Sequence, residues 1–366
     1  MTRPLFKTAL VALTASLMLG APAWAATLEE MAGQMIVVGF AGDIADAPSI
    51  RALRTEIAAG RLGGVMYLRT NVKSLPDVAE MNAQFRAADP ELPPFITLDQ
   101  EGGAVERLTE AVGFKEIPRP EVLANQTSPS GAEAVYEEMA RSVAELGFTV
   151  NFGPVVDLKL NPDNPVIAKY GRAFAADVDT VVDYAEAFIT AHHRAGLLTA
   201  LKHFPGHGSS ATDSHEGFVD ITRTWQPEEL DPYRTLIGEG MADFVMIGHL
   251  YHEDYSDADA QVPSSLSPQW ITGVLREQLG FDGVVISDDL EMGAIREHFS
   301  LEETVVDAVR AGMDVLLFSN TAEPRQSLGR EILDILVAEG ERDPQFAARI
   351  AQSYERIVKL KGTIGG

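Results

Sequence analysis

The sequence predicts an α/β fold, a single (β/α)8 TIM-type barrel with extra C-terminal helices. Three features predict it: eight short apolar runs, amphipathic segments between them, and polar residues where most of the runs end. Near-continuous apolarity rich in β-branched residues is typical of strands buried on both faces of a parallel sheet. Strands that alternate with helices form βαβ units, and eight such units favour a barrel over a doubly wound sheet.

The predicted strands recur along most of the chain. They are QMIVVGF (34–40), GGVMYL (63–68), PFITLD (94–99), VNFGPVVDL (150–158), LTALKHF (198–204), FVMIGHL (244–250), GVVISDD (283–289) and DVLLFS (314–319).

The segments between the strands have helical patterns, and several end in glycine, as helices commonly do. They include LPDVAEMNAQFRAA (75–88), GAEAVYEEMARSVAELG (131–147), VDTVVDYAEAFITAHHRAG (178–196), SPQWITGVLREQLG (267–280) and LEETVVDAVRAG (301–312). Residues 323–361 predict further helices that close or flank the barrel, and no long polar linker marks a second domain.

The N-terminus has the pattern of a secretory signal peptide. Arg3 and Lys7 precede a short apolar run, and the run is followed by Ala23-Trp24-Ala25. A membrane anchor is the alternative, but the run is shorter than the roughly 20 residues that span a bilayer. We therefore predict a signal peptide at residues 1–25, a mature chain at 26–366, and a periplasmic or secreted protein that does not insert into the membrane after cleavage.

Composition excludes several classes of function. The chain has no cysteine, so disulfides, thiolate metal sites and cysteine nucleophiles are excluded. Its formal net charge of −25 repels phosphate backbones and argues against nucleic acid as a partner. We expect a monomer that acts on a carbohydrate substrate.

Polar residues follow the predicted strands at the points where they end. In chain order they are Asp99, Asp157, Lys202, His203, His249, Asp288 and Asp289. In a (β/α)8 barrel these positions gather at the carboxyl-terminal face, where such folds keep their active sites. The site is therefore predicted at this end of the barrel.

The stretch KHFPGHGSSATDSHEG (202–217) follows the fifth strand and admits three readings. A metal site has candidate ligands here and at the neighbouring strand ends: His203, His207, Asp213, His215, His249 and Asp288. However, the first strand ends in GFAGD and supplies no histidine, and the proline and glycines of the loop disfavour a helix that would align His203 with His207. We predict no metal and no cofactor.

The second reading is a proton relay, and the third is a solvated loop. In the relay, Asp213 orients the ring of His215 and raises its basicity, so that His215 gives and takes a proton near neutral pH. In the solvated loop, Asp213 caps the local backbone and His215 faces water.

Asp288 favours the relay. It closes the apolar run GVVIS, so it is predicted to face the barrel mouth from a rigid strand, as a nucleophile requires. Asp289 is predicted to point elsewhere and to be structural. A fixed carboxylate opposite a mobile acid/base is the pair that cleaves a glycosidic bond with retention of configuration.

The motifs KHFPGHGSSATDSH and GFDGVVISDDLEM resemble those of bacterial β-N-acetylglucosaminidases of glycoside hydrolase family 3, the NagZ type. The likeness continues through LDQEGG, FGPVVDL, the Gly171 to Phe174 step and SLSPQWITGVLREQLGF, so it covers nearly the whole mature chain. It implies a catalytic barrel at 26–366 that releases terminal β-linked N-acetylglucosamine, with peptidoglycan fragments such as muropeptides as substrates.

The resemblance also implies roles for individual residues. Asp288 is the nucleophile, His215 the acid/base and Asp213 its partner. The residues expected to hold the sugar are Asp99, Arg107, Arg172, Lys202 and His203. Four others are expected only to brace the pocket: Glu101, Asp157, His207 and His249.

The chain departs from the family pattern at three places near the site. Ala104 replaces an arginine, Gly171 replaces an acidic residue, and Ser264 stands in PSSLSP where the family has PASLSP. These changes bear on the outer subsites more than on the reaction.

Three other functions are compatible with parts of the sequence. A non-catalytic sugar-binding protein would be equally acidic, but it has no use for a relay loop that faces an aspartate. A β-glucosidase of the same family usually takes its acid/base from a second domain. An N-acetylglucosaminide phosphorylase stays open, because a neutral imidazole repels an incoming phosphate less than a glutamate would.

Overall fold

A computed structural model describes residues 26–256 and 261–364. The predicted signal peptide lies outside the described residues. The strands are β1 (Ile36–Gly39), β2 (Gly64–Met66), β3 (Phe95–Leu98), β4 (Val150–Asn151), β5 (Leu198–Phe204), β6 (Val219–Asp220), β7 (Phe244–Ile247), β8 (Leu250–Tyr251), β9 (Val284–Ser287) and β10 (Leu316–Phe318).

The α-helices surround these strands. They are α1 (Leu28–Gln34), α2 (Pro48–Ala58), α3 (Leu75–Ala88), α4 (Pro120–Gln126), α5 (Pro129–Glu145), α6 (Val178–Arg194), α7 (Asp231–Gly238), α8 (Gly293–Arg296), α9 (Leu301–Ala311), α10 (Leu328–Arg342) and α11 (Pro344–Lys361). A π-helix occupies Gln269–Gln278, where the sequence predicts an ordinary helix.

Eight strands form one parallel sheet in the order β10-β1-β2-β3-β4-β5-β7-β9. The two ends of this sheet meet, because Ile286 of β9 forms a parallel bridge with Val315 and the Ser287 amide donates to the Val315 carbonyl. The predicted (β/α)8 barrel is confirmed, and each of the eight predicted apolar runs supplies one of its strands.

The structure corrects the predicted strands at two places. The fourth strand is only Val150–Asn151, because Pro154 has no amide hydrogen to continue a regular ladder. The chain nevertheless stays beside β5, where Val155 bridges Lys202. A small parallel pair, β6 with β8, was not predicted from the sequence.

Local sequence explains where several helices begin. Asp177 accepts a hydrogen bond from the Thr180 amide at the start of α6, and Ser300 with Glu303 forms a capping box at the start of α9. The buried faces of the helices pack on the barrel strands, which are buried along their whole length from β1 to β5.

The extra C-terminal helices are confirmed as α10 and α11. A buried carboxylate at the start of the last barrel strand holds α11: Asp314 accepts hydrogen bonds from Arg276, from Arg349 and Ser353 of α11, and from the Val285 amide. Within the described ranges, no helix has both the length and the apolarity needed to cross a membrane.

Candidate active site

A pocket of about 530 Å³ opens at the carboxyl ends of the barrel strands. All eight residues predicted for catalysis or sugar binding line it: Asp99, Arg107, Arg172, Lys202, His203, Asp213, His215 and Asp288. Apolar side chains complete the wall: Met66, Leu68, Val105, Val166, Met246 and Met292. The structure thus brings together residues that are up to 189 positions apart in the chain, from Asp99 to Asp288.

A buried charge network forms the floor of the site. Lys202 Nζ lies 2.9 Å from Asp99 Oδ1 and 2.7 Å from Glu101 Oε1. Arg172 binds Glu101 through two hydrogen bonds, from Nε and Nη2, each 2.8 Å long. The network joins the end of β3, the end of β5 and the loop that carries Arg172.

Burial alone would favour the neutral forms of these groups, but their mutual attraction outweighs it. Burial raises the pKa of Glu101, and the charges of Arg172 and Lys202 then lower it well below the ordinary range. Burial likewise raises the pKa of Asp99, and Lys202 and Arg107 reverse the effect. The pKa of Lys202 is raised against burial by Asp99 and Glu101, so the cation persists at neutral pH.

The two arginines differ in how much hydrogen-bonding capacity they keep for a ligand. Arg107 gives Nη2 to Asp99 Oδ2 at 2.8 Å and retains an exposed portion at the pocket wall. Arg172 donates hydrogen bonds from Nε and Nη2 to Glu101 and from Nη1 to the Val166 carbonyl, the last at 3.3 Å. Arg172 therefore lines the pocket chiefly as a fixed charge.

Lys202 and His203 are adjacent, yet both line the pocket. Consecutive residues of a regular strand face opposite sides, but the pairing of β5 with β7 shifts register between Leu201 and Phe204. His203 Nδ1 lies 2.7 Å from Asp157 Oδ2, and this contact orients the imidazole. Asp157 is fully buried, as expected of a brace.

Asp288 follows β9 and is fixed by its backbone, whose amide donates to the Ile247 carbonyl at 2.9 Å. Burial raises the pKa of Asp288, but His203, His249, His215 and the Asp289 amide outweigh it and lower the pKa to about 2. The carboxylate is therefore ionised at neutral pH, as a nucleophile must be.

The acid/base loop, defined here as residues 205–217, carries Asp213 and His215. Asp213 Oδ1 accepts hydrogen bonds from the His215 amide at 2.9 Å and contacts His215 Nδ1 at 2.7 Å. This places the Nδ1 proton toward the carboxylate and leaves Nε2 free to exchange a proton with a ligand. The His215 side chain is 62% exposed, so it reaches a proton donor or acceptor from the solvent side of the pocket.

The acid/base loop also touches the segment that follows Asp288. The Ala294 amide donates to the Ser214 carbonyl at 3.3 Å, and a Cβ added at Gly293 would lie 3.0 Å from the His215 carbonyl oxygen. The start of α8 therefore links the loop to the chain segment that begins at Asp288.

His207 and His249 occupy bracing positions, as predicted. His207 lies between two hydroxyls, Ser210 Oγ at 2.7 Å and Ser214 Oγ at 3.1 Å, and burial lowers its pKa to about 4. His249 contacts Ser265 Oγ at 2.7 Å and the Asp289 carbonyl at 2.9 Å. Both rings are held by groups of the protein.

The four histidines considered as metal ligands each have a separate partner: Asp157 for His203, Ser210 and Ser214 for His207, Asp213 for His215, and Ser265 for His249. Among the described residues, no group of three or more His, Asp or Glu side chains has an arrangement that would hold a metal ion. The absence of a metal requirement stays a prediction.

Asp289 lines the pocket, although the sequence predicts that its side chain points elsewhere. Its Oδ1 accepts hydrogen bonds from the Ser319 amide at 2.8 Å and the Glu291 amide at 3.1 Å, which joins the ends of β9 and β10. This is the structural role predicted for it, but the residue also lines the pocket. Burial raises the pKa of Asp289 to about 6, and the charge of Asp288 adds to the increase.

One departure from the family pattern has a backbone cause. Gly171 has a φ of 65°, in the left-handed region that favours glycine, and a Cβ there would lie 2.5 Å from Arg119 Cδ. A side chain at this position would displace Arg119 and strain the turn that leads into Arg172. Ala104, the other departure near the sugar-binding residues, lines the pocket.

Comparison with known proteins identifies the family of this chain. The chain matches the Glycosyl hydrolase family 3 N terminal domain over residues 27–360. It is 34% identical over 355 residues to Beta-hexosaminidase LpqI of Mycobacterium tuberculosis, an alignment that covers 94% of this chain and 84% of that protein. The matched family is the one that the motifs resemble, so that prediction is confirmed.

Two further relatives give the same result. Beta-hexosaminidase of Xylella fastidiosa (strain 9a5c) is 34% identical over 292 residues, which is 77% of this chain and 82% of that protein. The crystal structure of Beta-N-acetylhexosaminidase from Beutenbergia cavernae superposes with a TM-score of 0.80 at 28% identity, over 92% of this chain and 99% of that one.

The charge network gives a prediction about stability. Glu101→Gln removes the carboxylate that neutralises Arg172 and shares Lys202, and it leaves buried positive charge incompletely paired. We expect the free energy of unfolding to fall by about 3–5 kcal/mol, measured by urea denaturation.

The matched control is Glu121→Gln, which removes a half-exposed ion pair with Lys159. That change is expected to cost less than about 1 kcal/mol. If both variants lose the same small amount, the network at the pocket floor does not stabilise the barrel.

Proposed function

Because the chain belongs to glycoside hydrolase family 3, we propose that it hydrolyses terminal, non-reducing β-linked N-acetylglucosamine residues with retention of configuration. Relatives named beta-hexosaminidase support this activity within the family. The observation that carries the proposal is the single pocket in which an ionised Asp288 and the Asp213–His215 pair line the same cavity as the charged floor.

Asp288 is the nucleophile in this proposal. Its carboxylate oxygen attacks the anomeric carbon and forms a glycosyl ester while the glycosidic C–O bond breaks. His215 gives its Nε2 proton to the departing oxygen. Asp213 keeps the imidazole oriented and stabilises the imidazolium that precedes this transfer.

The second step reverses the roles. A water oxygen attacks the anomeric carbon, its proton passes to His215 Nε2, and the bond to Asp288 breaks. Two displacements at one carbon restore the original configuration. No group besides the carboxylate, the imidazole and water is needed to balance the protons.

The floor of the pocket holds the sugar. Asp99 accepts hydrogen bonds from sugar hydroxyls, while Lys202 and Arg107 beside it donate to them. Arg172 supplies fixed positive charge, and His203 lines the same pocket beside it. The aliphatic wall, which includes Met66 and Met246, suits the methyl group of an N-acetyl substituent.

The signal-like N-terminus favours a substrate outside the cytoplasm, and we propose peptidoglycan fragments that the enzyme meets in the periplasm or beyond it. Recovery of the active enzyme only from the cytosol, with residues 1–25 still attached, would contradict this location.

Substrate and acceptor are tested together with isolated muropeptides. We expect release of free N-acetylglucosamine, and faster hydrolysis of aryl N-acetylglucosaminide than of the matching aryl glucoside. Mass spectrometry of the products with and without phosphate checks the acceptor. Release of the sugar as its 1-phosphate would identify a phosphorylase, and a preference for the glucoside would identify a β-glucosidase.

The acid/base role is tested by His215→Ala with leaving groups of different basicity. For a sugar leaving group, which needs a proton, we expect kcat/KM to fall by about 10² to 10⁴. For a dinitrophenyl leaving group, which needs none, kcat/KM should change little. Asp288→Ala is expected to abolish turnover of both substrates.

His298→Ala is the matched control, because His298 is exposed and lies outside the residues that line the pocket. It should leave both rates near the wild-type values. An equal loss on both substrates in His215→Ala would mean that the loop positions the sugar and delivers no proton.

A further inference from the structure

A buried carboxyl group lies beneath the acid/base loop and has no part in the proposed reaction. Glu229 belongs to the 3₁₀ turn Pro227–Leu230 that precedes α7, and its side chain is almost fully buried. Its Oε1 accepts a hydrogen bond from the Gln226 amide at 3.1 Å, and its Oε2 accepts one from the Ser209 amide at 3.4 Å. The second contact reaches directly into the loop.

The carboxyl group also fills the space under Gly206. A Cβ added at Gly206 would lie 2.7 Å from Glu229 Cβ and 2.8 Å from Glu229 Oε2. Next to it, Trp225 Nε1 donates to the Pro205 carbonyl at 3.0 Å. The segment from Trp225 to Glu229 therefore supports the first residues of the loop from below.

The opposite side of the same residues is held by the segment after β4. Asp157 Oδ1 accepts from the His207 amide at 2.8 Å, and Asn164 Nδ2 donates to the His207 carbonyl at 2.8 Å. The Asn161 amide donates to the Gly208 carbonyl at 3.1 Å. The base of the loop is thus clamped between two segments, and Glu229 is the ionisable contact on one of them.

Glu229 has no cationic partner to stabilise a negative charge. Within the described part of the chain it forms no ion pair, and the ionisable groups that act on it are Asp157 and Tyr233. Burial raises the pKa of Glu229 to about 8; hydrogen bonds from Ser209 and the Gln226 amide oppose this rise, and the charge of Asp157 adds to it. Burial without a cationic partner therefore favours the uncharged carboxylic acid.

We propose that Glu229 is a positioning residue for the acid/base loop and that it acts as a neutral carboxylic acid. The neutral acid packs under Gly206 and accepts the Ser209 amide at no cost in buried charge. Ionised, it would be a buried negative charge beside Asp157, and solvation of that charge would move the base of the loop. The displacement would be transmitted along the chain to Asp213 and His215.

The sign of the pH effect follows from the direction of the pKa shift. A carboxyl group whose folded pKa is raised binds a proton in the folded state that the unfolded state has already lost. The stability that it contributes therefore falls as pH rises from the ordinary range to about 8. Above that value the folded protein itself ionises Glu229.

The test compares wild type, Glu229→Gln and Glu228→Gln between pH 6 and 9.5. The substrate is a β-linked N-acetylglucosaminide with a sugar leaving group, because its cleavage needs the proton of His215 and therefore depends on the position of the loop. At pH 9 the kcat/KM of the wild type should fall by about tenfold more than that of Glu229→Gln, as expected for an active form that titrates near 8. Glu229→Gln, which mimics the neutral acid, should keep its neutral-pH rate and lose this additional decline.

Glu228→Gln is the matched control, since Glu228 is the adjacent exposed carboxylate. It should decline as the wild type does. A decline in Glu229→Gln as large as that of the wild type would overturn the proposal.

Tryptophan fluorescence provides a readout without substrate, because Trp225 contacts both the loop and Trp270. The wild type should show a transition near pH 8 that Glu229→Gln lacks. The absence of this transition in the wild type would overturn the proposal even if the variant fails to fold. The inference rests on the proposed function only in its kinetic part: failure to cleave the glycoside would refute that function, whereas the fluorescence titration would still test Glu229.

Discussion

The buried ion network of Asp99, Glu101, Arg172 and Lys202 is the interaction on which the arrangement of the site depends. Two carboxylates and two cations are taken out of water together, and isolated burial of any one of them would cost several kcal/mol. Their distances of 2.7–2.9 Å compensate that cost only while all four are in place. The network therefore constrains the ends of β3 and β5 and the Arg172 loop as one unit.

This constraint separates a rigid part of the site from an exposed one. Asp288 and the charged floor sit at strand ends with defined partners, whereas His215 stands on a loop with most of its side chain in solvent. Such a division suits a two-step displacement. The nucleophile and the sugar must keep a fixed geometry, while the imidazole must meet first a departing sugar and then a water molecule. The loop is nevertheless anchored at its base, by Asp157, Asn161 and Asn164 on one side and by Glu229 on the other.

Much of this was predictable from the sequence, for physical reasons. Parallel strands buried on both faces leave an unmistakable apolar pattern, so all eight barrel strands were found. Because the carboxyl ends of the strands converge in a barrel, the sequence alone places Asp99, Lys202 and Asp288 in one pocket.

The shortness of β4, the β6–β8 pair and the π-helix were not predicted, because each depends on contacts that the local sequence pattern does not encode. Glu229 was missed for the same reason: within PEEL it resembles a solvated charge, and only the fold shows that it lies under Gly206. Asp289 was expected to face away from the pocket, but the β9–β10 junction turns it to the rim.

The identity of the nucleophile is the central claim, and covalent trapping tests it most directly. A 5-fluoro N-acetylglucosaminyl fluoride forms glycosyl-enzyme rapidly and releases it slowly, because the fluorine destabilises both oxocarbenium-like transition states while the fluoride leaving group speeds the first. Digestion and mass spectrometry should find a single added N-acetyl-fluoroglucosaminyl group on Asp288, absent from Asp288→Asn. A label on another carboxylate, or active enzyme that hydrolyses substrate yet never carries a label, would contradict the account.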